Sequence, residues 1–385
     1  MIGQAFYPLN GHMAPEQEDQ LRTTQMRGVR SMDASCEDLA PRIYASGISH
    51  LCRSKLKFLP PLVAIRAYSS HILGRMPYAF HTADVFTDHV HGGNPLAVVP
   101  DARGLSDEQM QAITREFNYS ETVFVFPPAT KGHTRSVRIF TPNAELPFAG
   151  HPTVGCAFVL ATIGAIPLDG DETRIVLEEG VGPVPVLIRA TNGKPGFAQL
   201  TSAMMPEIND PPPPPETLCE ILSLEPSHIV ADDMIEPEAV SCGVPYLFIP
   251  LKKPEMLSWV KVDNLKWEQA LRDYWAPEMF VYSTEEWSGI FEGGHIQARM
   301  FAPGLGIGED PATGSACAAL AGFLALRSEK RDGTLHWTVD QGVEMGRPSK
   351  LQLEVELKRG QLAAIKVGGE SVLVSSGTLH LEGDG

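Results

Sequence analysis

Phe140-Thr141-Pro142 precedes Gly150-His151-Pro152-Thr153-Val154-Gly155-Cys156-Ala157, and 161 positions later Phe301-Ala302-Pro303 precedes Pro311-Ala312-Thr313-Gly314-Ser315-Ala316-Cys317-Ala318, with no gap needed. Each copy reads as a strand, a proline-containing loop and an apolar helix of small residues, Pro152 to Ile163 in the first and Ala316 to Leu326 in the second. A helix that is apolar on all sides is stable only when buried. A supersecondary unit that recurs once implies two structurally related halves whose loops face each other. The alternative is that the copies are packing units only, their glycines and alanines letting helices sit close inside a barrel.

The elements around the repeat are consistent with two halves. Alternating apolar patterns at Ala79–Phe86 and Leu96–Val99, with a turn at His89-Val90-His91-Gly92-Gly93, predict a hairpin. Ser106 with Gln109 three residues on is a capping box that opens a helix running to about Phe117. Strands follow at Thr122–Phe126, Ser136–Phe140, Arg174–Leu177, Val184–Arg189 and Phe197–Leu200; Asp210 and the prolines Pro211–Pro215 then read as a stiff linker. Beyond it the patterns predict helices at Glu216–Leu224 and Asn264–Tyr274, and strands at Tyr246–Ile249, Met279–Tyr282 and His295–Phe301. Four more strands, at Leu335–Val339, Leu351–Leu357, Ala363–Val367 and Val372–Ser375, follow the second small-residue helix. Mixed strands with one buried helix per half point to an α+β fold of two similar barrel-like domains, not a doubly wound sheet. The division is residues 76–203 and 204–370, with a C-terminal strand in 371–385 returning to the first half.

At 385 residues the chain is long enough for two cores and a spare segment. The spare segment is residues 1–75: from Leu39 to Ala83 there is no acidic residue, while Arg42, Arg53, Lys55, Lys57, Arg66 and Arg75 fall among Ser, Leu and Ile. That composition resembles an organellar transit segment, with Arg66-Ala67-Tyr68-Ser69 as a processing pattern; the alternative is a native start at Met76. A net charge of −16 and the lack of a basic stripe argue against nucleic acid as a partner. The longest apolar runs, such as Phe58 to Ile65, fall short of the roughly 20 residues that span a bilayer. The six cysteines form no CxxC pair and no metal-ligand cluster, so no metal is expected. A reduced, cytoplasmic setting follows, or organellar import if residues 1–75 act as a transit segment.

Each repeat loop ends where a helix begins, and free N–H groups at helix starts bind anions such as carboxylates. Glu121 sits at a helix-to-strand junction before the apolar Thr122-Val123-Phe124-Val125-Phe126. It is either a solvated strand-end carboxylate or a desolvated one whose pKa rises toward neutrality, as a proton shuttle needs. His151, in the first turn of its helix, is either a donor to a bound acid or a capping histidine. Asp310, just before the second helix, serves equally well as an N-terminal charge or cap. Ser315 does not sit in a G-x-S-x-G elbow. Gly304-Leu305-Gly306-Ile307-Gly308 lacks both the GK[ST] ending and the G-x-G-x-x-G frame, which removes nucleotide binding.

Asn118-Tyr119-Ser120-Glu121-Thr122, Phe148-Ala149-Gly150-His151-Pro152-Thr153 and Gly308-Glu309-Asp310-Pro311-Ala312-Thr313-Gly314-Ser315-Ala316, followed by Gln341-Gly342 and Gly346-Arg347-Pro348-Ser349, resemble in order the signature blocks of the PhzF-like (phenazine biosynthesis) family. The resemblance runs from about Pro77 to the C-terminus. It implies the diaminopimelate-epimerase-like fold, each half wrapped on a central helix, a homodimer, and a site without metal or cofactor. It implies that Glu121 is the acid/base acting on a small carboxylate, that Asn94, His151, Asp310 and Ser315 line the pocket, and that Gly150 and Gly314 supply backbone donors. In related epimerases and racemases two cysteines stand at these loops; the corresponding positions here are Ala149 and Thr313. One-face proton transfer by Glu121, a double-bond migration, is therefore favoured over two-thiol racemisation. The competing expectations are a catalytically silent small-acid binder and a cysteine-based racemase using Cys156 or Cys317.

Overall fold

The computed structural model describes residues 77–231 and 235–381; the segment 1–75, with its transit-like composition, lies outside them. The first half contains β1 (Pro77–Val85), β2 (Asn94–Val99), α1 (Asp107–Phe117), β3 (Glu121–Phe126), β4 (Arg135–Phe140), β5 (Glu145–Leu146), α2 (Gly150–Thr162), β6 (Glu172–Glu179), β7 (Gly182–Thr191) and β8 (Lys194–Thr201). The second contains β9 (Glu207–Ile208), α3 (Pro215–Leu222), β10 (Glu238–Ser241), β11 (Pro245–Pro250), α4 (Asn264–Ala270), β12 (Glu278–Ser283), β13 (Gly294–Ala302), β14 (Ile307–Asp310), α5 (Gly314–Ala325), β15 (Gly333–Gln341), β16 (Ser349–Lys358) and β17 (Gln361–His380).

The strand pairings of the two halves repeat one for one. β1–β2 is antiparallel, β2–β3 parallel, β3–β4 and β4–β5 antiparallel, β4–β6 parallel, and β6–β7–β8 antiparallel. The series β10–β11, β11–β12, β12–β13, β13–β14, β13–β15 and β15–β16–β17 has the same senses in the same order. α2 and α5 occupy equivalent places, after β5 and β14. The fold is the α+β, diaminopimelate-epimerase-like one, with each mixed sheet wrapped around a helix.

Both central helices are buried along nearly their whole length, Ser315 being the one partly exposed residue of α5. Small residues make this fit possible: a Cβ on Gly155 would lie 2.5 Å from Val85 Cγ2 and 2.6 Å from Leu96 Cδ2, so α2 seats against β1 and β2 only with glycine there. The larger side chains of the helices, such as Leu160 and Phe323, are fully buried, each stabilising the fold by about 1.5–3 kcal/mol.

Local signals place the end of α1, and hence Glu121. Ser106 Oγ accepts from Gln109 N–H at 3.2 Å while Gln109 Oε1 accepts from Ser106 N–H at 3.0 Å. Asn118 then stops α1 in the left-handed region at φ 52°, and β3 begins three residues later.

Three expectations need correction. The repeat is not gapless: Gly150 and Gly314, which open the two helices, are 164 positions apart, whereas Phe140 and Phe301 are 161 apart. The turns themselves, 141–144 and 303–306, are equally long; the extra three residues lie in the strands beside the second turn, where the β13–β14 pairing shifts register between Met300–Asp310 and Ala302–Ile307. The two C-terminal strands are one, since β17 pairs through its first part with β16 and β8 and through residues 371–380 with β1. Gly368 and Gly369 do not break it; a Cβ at Gly368 would stand 2.7 Å from Ala198 O, so glycine there allows strands to cross closely. The helix from Asn264 ends at Ala270, not Tyr274, and Tyr274 instead donates its hydroxyl to Asp210 O at 2.8 Å. Among the described residues no helix is long and apolar enough to cross a membrane.

Candidate active site

The starts of α2 and α5 meet backbone to backbone. A Cβ on Gly150 would lie 3.0 Å from both Gly314 Cα and Ser315 N. The first intrahelical bonds are Thr153 N–H to Ala149 O and Cys317 N–H to Thr313 O, so the N–H groups of Gly150, His151, Gly314, Ser315 and Ala316 are left over at one spot. Two helix dipoles add their positive ends there. Ala149 and Thr313 are the N-cap residues, without a side-chain cap bond.

Glu121 is the first residue of β3, paired with Leu96, and its side chain is 12% exposed. Oε2 has no hydrogen-bond partner. Burial, reinforced by the nearby Asp310 carboxyl, pushes its pKa up to about 8. His151 Nε2 stands 3.4 Å from Glu121 Oε2, also unpartnered, and burial drives the imidazole down to about 3. At neutral pH this is an uncharged imidazole beside a mostly protonated carboxyl, not an ion pair.

Asp310, the last residue of β14, accepts from Asn94 Nδ2 at 2.9 Å and from Thr313 Oγ1 at 2.5 Å. Burial raises its pKa to about 6 against the pull of those two donors. Asn94, at the start of β2, also donates to Ala312 O at 3.0 Å, so it joins the two halves directly; its Oδ1 is buried without a partner. Asn94, Glu121, Gly150, His151, Asp310, Gly314 and Ser315 therefore lie together.

Several neighbours were not singled out by the sequence patterns. Gln341 accepts from Thr313 N–H at 3.1 Å and donates to Asp310 O at 2.7 Å, so it sets the entry to α5; its only signal was the Gln341-Gly342 block. Arg347, in the last block, bonds Asp84 at 2.6 Å, Gly92 O at 2.7 Å and Gly93 O at 2.8 Å, which holds the turn leading into Asn94. Tyr246 reaches Ser315 Oγ at 2.7 Å and carried no signal at all. Cys156 and Cys317 are fully buried inside the helices, and burial pushes both thiols well above the usual range, which suppresses the thiolate a racemase base requires. Among the described residues no cluster of His, Cys, Asp and Glu is arranged to hold a metal ion.

A further carboxyl lies in the first half. Glu179, at the end of β6, is within 2.7 Å of Thr153 Oγ1, its Oε2 is unpartnered, and burial pushes it up to about 8. For an acid whose folded pKa is raised, the unfolded chain releases its proton first, so stability is full below about 4.5 and declines as pH rises toward 8. Glu121, Glu278 (up to about 7) and Asp310 act in the same direction. Thermal melts should therefore show the protein losing stability between about pH 5 and pH 8. Glu179→Gln should flatten that decline, melting about 2–4 °C above the parent at pH 8 and about level with it at pH 4.5. Parallel slopes would show that Glu179 ionises freely in the fold.

Residues 83–377 match the sequence profile of the family described as phenazine biosynthesis-like protein. Over 301 residues the chain is 40% identical to an uncharacterized isomerase of Mesorhizobium japonicum, covering 77% of this chain and 97% of that protein. It is 33% identical over 298 residues to the trans-2,3-dihydro-3-hydroxyanthranilate isomerase of Pseudomonas aeruginosa, covering 77% of this chain and 98% of the relative. In fold it resembles the crystal structure of the Bacillus anthracis phenazine biosynthesis protein of the PhzF family, with a TM-score of 0.66 at 24% identity, over 79% of this chain and 99% of that one.

Proposed function

The chain belongs to the phenazine biosynthesis-like family and is an isomerase; from that premise we propose that it shifts a double bond in a small carboxylic acid, with Glu121 carrying the proton and no cofactor required. The observation that carries this reading is the Glu121 carboxyl itself. It is buried, has one oxygen without a partner, lies 3.4 Å from an uncharged His151, and sits beside two converging helix starts.

The substrate carboxylate accepts from the free N–H groups of α2 and α5, which places its neighbouring carbon over Glu121. The Glu121 carboxylate removes a proton from that carbon, and the C–H electron pair becomes a new π bond. The former π bond opens at its far end and takes the proton back from the same carboxyl group. Nothing is oxidised or reduced and the molecular formula is unchanged. His151, uncharged at neutral pH, offers an N–H without adding a second charge to the site. A carboxyl with a pKa near working pH is efficient in both directions of transfer.

Incubation in D₂O with a panel of small unsaturated carboxylic acids, including trans-2,3-dihydro-3-hydroxyanthranilate, tests this by NMR. Deuterium should enter at the carbon next to the carboxylate or at the far end of the former double bond, the two carbons between which the proton moves. Because the abstracting form is the carboxylate, kcat/KM should rise with pH and level off above about 8. Acids that bind tightly yet neither isomerise nor take up deuterium across the panel would instead identify a silent binding protein.

A further inference from the structure

Tyr246, the second residue of β11, is 4% exposed, and its hydroxyl oxygen lies 2.7 Å from Ser315 Oγ. Among the described residues Ser315 Oγ is the only hydrogen-bond partner of that hydroxyl. The direction of the bond follows from burial. A buried phenolic O–H without an acceptor is costly, so its proton points at Ser315. Burial and the carboxyls of Asp310, Glu278 and Glu121 raise the phenol's proton affinity, so the proton stays on Tyr246. Ser315 Oγ is then used as an acceptor, and its own proton has no acceptor among the described residues. That proton is free at the second position of α5, beside the unpaired N–H groups of Gly314, Ser315 and Ala316. The reverse arrangement would strand the phenolic proton and leave a serine lone pair facing any bound anion.

We propose that Tyr246 is a positioning residue for carboxylate recognition: by donating to Ser315 it commits the serine hydroxyl to donate outward, to an anion seated at the start of α5. This rests on the small-acid reading above and assigns a recognition role to a residue of β11 that lies outside both repeat blocks in sequence. A chain of phenol, serine and carboxylate is also polarised along its length, which strengthens each bond in it.

Calorimetric titration with anthranilate, and with anthranilamide as the uncharged control, tests it on the full chain carrying Tyr246→Phe, Ser315→Ala or both. Ser315→Ala should weaken anthranilate about tenfold and Tyr246→Phe about threefold to fivefold. The double variant should bind within about twofold of Ser315→Ala alone, because Tyr246 acts through that hydroxyl. Anthranilamide affinity should move less than about twofold in all three, a selectivity that a purely structural role would not produce. Unchanged anthranilate binding by Tyr246→Phe, or losses that simply add in the double variant, would overturn the proposal while the small-acid reading stands. Failure of the unaltered chain to bind anthranilate or any other carboxylate of the NMR panel would overturn both.

Discussion

Glu121→Gln should lower turnover and solvent deuterium exchange by on the order of 10²–10⁴ while leaving the fold intact. Glutamine keeps the shape of the side chain and its place at the start of β3, so the two helix starts and the Asn94–Asp310 bridge are untouched. What it removes is a proton carrier. The same substitution should raise stability above neutral pH, because a buried carboxyl with a pKa near 8 costs the fold more the more of it ionises. A variant that melts higher at pH 8 yet exchanges no deuterium would mark Glu121 as a group kept for chemistry at the expense of stability. Exchange that survives in Glu121→Gln would place the base elsewhere.

Gly150→Ala should reduce kcat/KM by about tenfold, since it forces the helix starts apart by a few tenths of an ångström, and a full 1 Å misplacement costs on the order of 10². Its new Cβ would meet Gly314 Cα and Ser315 N at 3.0 Å and Gly314 C at 3.1 Å, all backbone atoms that no rotamer change can move. α5 has little freedom to retreat, because Gln341 holds Thr313 and Asp310 while the helix behind is buried. The helix starts must therefore spread, and the carboxylate loses donors from one side. Overpacking should cost about 1–3 kcal/mol of stability, offset in part by alanine's better helix propensity of about 1 kcal/mol. Gly196→Ala, where a Cβ meets nothing within 4 Å, is the control and should change neither activity nor melting. Equal activity in both alanine variants would show that the close approach of the helices is not needed for function.

The two helices, the capping box before α1 and the strand patterns were legible because each depends on residues within a few positions of one another. A stretch such as Pro152 to Ile163, apolar on every side, has only the interior to go to, and Asn118 next to Glu121 is a local stop signal. The candidate residues Glu121, His151, Asp310 and Ser315 were readable from blocks whose order resembles a known family, while Asn94, after Gly92-Gly93, was implied by that resemblance without lying in a block. Their assembly is a property of the pairing: Asn94 and Asp310 are 216 positions apart and meet at 2.9 Å.

Where the linear reading failed, a distant contact had overruled a local signal. Gly368-Gly369 looks like a turn in sequence, yet it continues a strand that needs glycine to pass Ala198 and Phe86. The repeat looks gapless when its small residues are matched, whereas the helices it announces are set three residues out of step by the irregular pairing of β13 with β14. Tyr246 has no motif around it, and becomes part of the site only because β11 runs beside α5 and brings its hydroxyl within 2.7 Å of Ser315. Residue types and local periodicity settled that there would be two buried helices, two helix starts able to hold an anion, and a carboxylate at the edge of a strand. Which N–H groups are left unpaired, how protonated the carboxyl is, and how far apart the helix starts stand were decided by tertiary packing. Desolvation, close backbone contact and hydrogen-bond direction are set by neighbours tens to hundreds of residues away.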